Sequence, residues 1–362
     1  MRDKELDIFR AIAIIEVIIQ HCCYWTGIYS TGEVSIVKSL IVLGFAMPLF
    51  FVITGASNFL SSKNNIMDFY KSRLQRIIVP YWIYAVVCIV ISYYYLRNNI
   101  DIFQMIGYWI IPINKQIVFN PLLGGALWFI PIYLFTMILF PLLKKYYKFY
   151  CKKSTILLTL TIFLMTIMIL SYININNTES NYIYFYYIKM VVFYMLFIYI
   201  GIVYIDRLKT LYIKKRWLII VIIGFLLIDK FLINLGMGSW NMQINKFPPN
   251  IVFLMQGLMW MTILFVLRKN IVNITERICK NRICNFIFES YRDNCYSIYL
   301  FHPIIFVILS KIIIWTNMVD YLNKHNGIYL LLYIIITIPI SAILGKYVSI
   351  IERIKINIKV IK

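Results

Sequence analysis

Charge is scarce in this chain: only 14% of its 362 residues are Asp, Glu, Lys or Arg, against 62% hydrophobic. A soluble globular domain carries about 25% charged and 45–50% apolar residues. An exterior of that kind is excluded, and lipid must solvate much of the surface. Glycine (14) and proline (10) are too few for a collagen-like or linker-rich chain. No repeat of fixed 20–50-residue period marks a solenoid or propeller. The seven cysteines (22, 23, 88, 151, 279, 284 and 295) are scattered, and Cys279 with Cys284 lacks a second pair. They read as free thiols, not as a disulfide or zinc framework. The first apolar stretch is long, contains Arg10 and has no small-residue cleavage site, so no cleavable signal peptide is expected.

What fills the chain is long apolar runs, giving a mean hydropathy of +0.79. Crossing roughly 30 Å of hydrocarbon takes about 20 apolar residues. Ten segments qualify: Leu6–Trp25, Ile36–Leu60, Ile77–Leu96, Ala126–Leu143, Thr155–Ile173, Ile188–Ile205, Trp217–Leu235, Asn250–Leu267, Cys295–Thr316 and Ile328–Ile350. With the N-terminus inside, the segments 1–10, 61–76, 144–154, 206–216, 268–294 and 346–362 hold 28 of the 36 Lys+Arg. Outer loops hold only Lys38, Arg97, Lys115, Lys246 and Lys324. This asymmetry predicts an all-α polytopic membrane protein of about ten transmembrane helices in one bundle, residues 1–362 forming a single domain with both termini cytoplasmic. The formal net charge of +21 is then a topology signal that also meets anionic membrane lipids. No basic soluble domain exists to bind nucleic acid.

Ionisable residues inside spans are functional candidates by default, because placing them there is costly. The first span reads LDIFRAIAIIEVIIQH and holds Asp7, Arg10, Glu16 and His21. Eleven residues of α-helix put Arg10 and His21 within about 20° of one face and about 16 Å apart along the axis. Asp7 lies one turn from Arg10 and can pair with it, and Ile14 and Val17 complete the stripe. The cation falls near the cytoplasmic mouth, the imidazole toward the outer half. On spacing alone His21 equally suits a structural histidine bonded to a neighbouring helix. Glu16 lies on nearly the opposite face and is expected to pair with another helix.

Further along, Gly55, Ala56 and Ser57 permit close helix approach. Arg73 and Arg76, at i and i+3, share a helix face where two guanidinium forks can grip a phosphate or simply anchor the inner side. Trp128 opens the fourth span, Pro248-Pro249 leads into the eighth, and the ninth holds Tyr299 and His302-Pro303. Trp109, Trp128 and Trp240 suit either sugar stacking or belt anchoring. Asp229 and Lys230 are adjacent, cannot share a face, and are expected to find separate partners or snorkel outward.

Taken together these features resemble the acyltransferase-3 family of integral membrane carbohydrate O-acyltransferases. Arg10, ten residues and His21 match its hallmark pair, and Arg73-Leu-Gln-Arg76 its Arg-x-x-Arg motif. Pro48-Leu-Phe50-Phe51-Val-Ile-Thr54-Gly55 is similar to its Pro-x-Phe-Phe-x-x-Ser-Gly segment, with Thr keeping the hydroxyl. The Leu-Trp-Phe segment at Trp128, the Phe-Pro-Pro segment and Ser-Ile-Tyr299-Leu-Phe-His302-Pro also look like family features. The resemblance implies a multi-pass protein of the bacterial cytoplasmic membrane, transferring an acyl group, commonest as acetyl, from cytosolic acyl-CoA to a glycan or lipid-linked glycan hydroxyl. It implies acetyl-CoA as co-substrate, with no tightly bound cofactor and no metal, and polysaccharide-biosynthesis proteins as partners. Members often carry an extracytoplasmic hydrolase-like domain. None is expected within these residues, so a second acyl handover would need a separate partner.

On that basis Arg10, Arg73 and Arg76 are expected at the donor phosphates and His21 as the base for the acceptor hydroxyl. Asp7, Trp128, Tyr299 and His302 are expected to line the substrate cavity. Two rivals come from other classes: a polysaccharide or lipid-linked-glycan transporter (flippase), and a non-catalytic assembly protein of polysaccharide export. Transporters commonly show two similar halves or paired broken helices, and no such internal symmetry is present.

Overall fold

The computed structural model describes residues 3–25, 44–61, 65–95, 102–110, 121–172, 179–211, 214–318 and 325–352. Among these the regular secondary structure is helical, without a strand, and the one β-bridge, Lys246 to Pro249, is isolated. The helices are α1 (Lys4–Trp25), α2 (Ala46–Leu60), α3 (Ile66–Tyr95), α4 (Ile102–Ile110), α5 (Pro121–Gly124), α6 (Phe129–Phe149) and α7 (Lys153–Tyr172). There follow α8 (Glu179–Val203), α9 (Leu218–Asn234), α10 (Met242–Lys246), α11 (Ile251–Ile278), α12 (Arg282–Asp293), α13 (Cys295–Trp315) and α14 (Asn326–Glu352). None of the seven cysteines is in a disulfide.

Eight helices among the described residues are long and apolar enough to cross a membrane. Ten spans are expected from the sequence; the described residues bear out the last eight and leave the first two open. α1 has the length of a span and carries Lys4, Glu5, Asp7, Arg10 and Glu16. Of the second expected span only the 15 residues of α2 are described, and 36–43 lie outside the described residues. So do Arg2, Lys38, Lys63, Arg97, Lys115 and Lys324, and the terminal cations Arg353, Lys355, Lys359 and Lys362. Buried prolines at 80 and 303 sit inside α3 and α13, a placement tolerated in membrane helices where neighbouring groups satisfy the freed carbonyl.

The chain divides into two compact units. The first comprises residues 1–62 and 135–281. Its tightest contact is α2 on α8. A Cβ on Gly55 would fall 2.1 Å from the Ile198 carbonyl oxygen, and one on Gly201 would fall 2.0 Å from that of Val52. The two backbones therefore touch, as small residues allow in membranes. On the outer side of this unit, α9 exposes Ile219, Ile223, Leu227 and Phe231, the pattern of a lipid-facing helix.

Within α9, Asp229 is fully buried, and its Oδ2 accepts from Gln256 Nε2 of α11 at 2.5 Å. Lys230 is exposed, so the two neighbours part as expected. Asp229 Oδ1 and Gln256 Oε1 make no hydrogen bond among the described residues. Asp229→Asn, whose amide can donate to Gln256 Oε1, is therefore expected to keep or raise the melting temperature in detergent. Asp229→Leu should cost about 1 kcal/mol of inter-helix bonding. Equal melting of the two variants would contradict this role.

The second unit comprises residues 63–134 and 282–362. Tyrosines tie its segments together. Tyr81 donates to the Trp109 carbonyl at 2.7 Å and Tyr84 to that of Leu123 at 2.8 Å, while Tyr299 donates to that of Ala126. Tyr291 reaches Ser341 Oγ at 2.7 Å, joining α12 to α14.

Candidate functional site

The first helix is one uninterrupted element from Lys4 to Trp25, so Arg10 and His21 do stand on a single helix. Asp3 caps it, its Oδ1 accepting from the Glu5 and Leu6 backbone N–H groups. Ile14 and Val17 of the stripe are buried, and both Arg10 and His21 are half-buried. Arg10 is held from two sides: Nη1 donates to Asp7 Oδ1 at 2.8 Å and Nη2 to Ser57 Oγ at 3.3 Å. Ser57 belongs to the small-residue segment read from sequence as a packing face. Its hydroxyl couples α2 to the guanidinium, and the Gly55 contact on α8 fixes α2 in turn.

Cation-bearing turns of the first unit gather around the N-terminus of α1. The C-terminus of α8 runs into a π turn, Tyr204–Leu208, of a kind frequent at functional sites. Tyr204 donates to Glu5 Oε2 at 3.0 Å, Lys209 pairs with Asp3 and Glu5, and Lys4 pairs with Glu276. Arg268, counted in the sequence among the inner-side cations, is buried and donates to three backbone carbonyls. Its Nη1 donates to the Phe265 carbonyl (2.6 Å), its Nη2 to those of Lys209 (2.9 Å) and Leu211 (2.8 Å). A cavity of about 510 Å³ opens here, lined by Asp3, Lys4, Glu5, Lys209, Lys269, Val272 and Asn273. No sequence signal predicts the π turn or this cavity.

Toward the other end of α1, Glu16 is 5% exposed. Its carboxylate accepts from Gln20 Nε2, meets the backbone N–H of Ala46 at the start of α2, and faces the Lys246 ammonium. An anion at a helix N-terminus is favourable, and the expected inter-helix partnership is found. Burial pulls Lys246 below the ordinary lysine range, and Glu16 opposes that pull.

In the second unit Arg73 and Arg76 lie three residues apart on α3. Arg73 is half-buried with its guanidinium over the Phe69 ring at 5.4 Å, and Arg76 is exposed. Trp128, Tyr299 and His302 of the same unit are buried. Phe129 lies between them in part, edge-on to both Trp128 (6.4 Å) and Tyr299 (5.4 Å). Pro303 has no N–H to give the Tyr299 carbonyl four residues back. His302 Nδ1 stands 2.7 Å from that carbonyl oxygen and takes over the missing bond. This arrangement fixes Nδ1 as the protonated nitrogen. Trp109, read as an outer-loop aromatic, is instead fully buried and edge-on to Tyr84 at 6.3 Å. It offers no face for sugar stacking, whereas Trp240 is exposed.

Spanning-length apolar helices, and a polar first helix packed on α2 and α11, define a multi-pass helical membrane protein. A family model for the acyltransferase domain, acyltransferase-3, matches residues 3–346, nearly the whole chain. The chain belongs to this family and is a membrane acyltransferase. No curated protein and no solved structure matches it significantly.

Proposed function

We propose that the chain transfers an acyl group, commonly acetyl, from cytosolic acyl-CoA to a hydroxyl of a cell-surface or lipid-linked glycan, in the bacterial cytoplasmic membrane. The observation that carries this reading is Arg10, braced by Asp7 and Ser57, on the same helix as His21. CoA is polyanionic at one end and carries its thioester at the end of a long flexible arm. A guanidinium and an imidazole separated by about three turns of helix can act on those two ends at once. The cation-rich end around Lys209 and Arg268 adds a favourable field for an anionic donor.

In the reaction, His21 accepts the acceptor's hydroxyl proton as the oxygen attacks the thioester carbonyl carbon. The tetrahedral intermediate collapses, the C–S bond breaks, and the departing CoA sulfur takes the proton from the imidazolium. Ester and free CoA result. A neutral imidazole is required at the outset. Arg73 and Arg76 contribute to donor binding, supported by their shared face on α3. Acetyl-CoA is accordingly expected to raise the melting temperature of the detergent-purified protein, by about 2.7 kcal/mol of stabilisation at a hundredfold excess over Kd. With Arg73→Ala and Arg76→Ala together, the apparent donor KM should rise at least about tenfold, as lost charge-assisted bonds imply. An unchanged donor KM would return both arginines to topology signals.

A further inference from the structure

The loop between α9 and α11 is built to hold a shape. Asn245 is buried and bonds four ways: Oδ1 accepts from the Ser239 N–H and from Asn250 Nδ2, both at 2.9 Å, and Nδ2 donates to the Ser239 carbonyl and to Met242 Sδ at 3.7 Å. Asn250 caps α11 through the Phe253 N–H at 3.0 Å. Gly238 leaves room for this hub, since a Cβ there would lie 2.8 Å from Asn245 Oδ1. The result presents Lys246, half-exposed, above the buried Glu16, with Phe247 5.2 Å from the ammonium and 38% exposed. Trp240, 51% exposed, projects from the same loop.

At the floor, Glu16 Oε2 is buried and makes no hydrogen bond of ordinary geometry among the described residues. Beyond the Ala46 N–H and the Lys246 charge that face the carboxylate, this oxygen has capacity for a further donor. A carboxylate, an amide and an ammonium converging beside the exposed Phe247 ring match what hydroxyl-rich, partly apolar sugar faces require: a few placed polar groups on an otherwise apolar wall. We propose that Glu16, Gln20 and Lys246 form the hydroxyl-recognising floor of an acceptor saccharide site, with the rings of Phe247 and Trp240 as its rim. The proposal rests on the acyltransferase reading above and assigns its acceptor side to this loop and the outer half of α1.

The test compares cells expressing the full-length wild type, Glu16→Gln, Lys246→Gln or Trp240→Ala at matched membrane levels. O-acyl groups are released by mild alkali from the cells' own surface glycan and quantified. Each purified variant is also melted with and without acetyl-CoA. Glycan acylation should fall about tenfold or more in the two floor variants, in line with a lost bond to a charged group, and measurably in Trp240→Ala. The acetyl-CoA-induced rise in melting temperature should match wild type. Wild-type acylation in all three variants would overturn the proposal. So would floor variants that lose basal thermal stability and the acetyl-CoA response while Trp240→Ala acylates normally, because the cluster would then only hold the fold. A wild type that acylates nothing and ignores acetyl-CoA would instead sink the acyltransferase reading itself.

Discussion

His21→Ala is expected to lower acyl transfer by about 10²–10⁴-fold, the usual contribution of a positioned general base. Membrane insertion and the acetyl-CoA-induced thermal shift should survive, because the loss falls on proton transfer and not on donor binding. His21 is half-buried on a helix whose flanking stripe residues Ile14 and Val17 are packed, so truncation to Ala does not open a large core cavity. Arg10→Ala should behave differently. It strands Asp7, whose partner it is at 2.8 Å, and should weaken donor binding together with the turnover. Measuring donor KM and kcat for both variants separates the two roles. A His21→Ala enzyme with undiminished kcat would remove the imidazole from the mechanism.

The second large effect belongs to the α2–α8 contact. Gly55→Ala would put a methyl 2.1 Å from a carbonyl oxygen, and Gly201→Ala one 2.0 Å from another. Neither neighbour is a flexible side chain, so the helices themselves must separate. Overpacking of this kind costs about 3 kcal/mol or more where backbone must move. Loss of folded protein from membranes, or a steep drop in melting temperature, is the expected outcome. Surviving Gly55→Ala protein should also transfer acyl groups poorly, since Ser57 would carry its bond to Arg10 away with α2. Gly224→Ala is the control, because nothing lies within 4 Å of its Cβ position. Equal stability of all three variants would contradict the close approach.

The apolar runs were enough to read the helical class, and the eleven-residue spacing enough to place Arg10 and His21 on one helix, because both signals are local. Asp7 with Arg10 was legible for the same reason, being one turn apart. What escaped were partnerships between distant segments. Glu16 could be assigned another helix as partner, but not Lys246, 230 residues on. Ser57 read as a small packing residue because its hydroxyl acquires meaning only when α1 lies beside it. Arg268 was counted with the inner-side cations, since sequence cannot show that its donors end on carbonyls. Trp109 was read outward because nothing near it reveals Tyr84. The His302 tie was readable in principle: a proline deletes one specific rung, and the histidine beside it is the nearest donor.

The most direct test is to determine the structure of the full chain in lipid nanodiscs with acetyl-CoA bound. The phosphates should lie at the Arg10 end of α1, with the thioester carbonyl within hydrogen-bonding reach of a hydroxyl that His21 can deprotonate. A donor bound with its thioester remote from His21 would contradict the assignment.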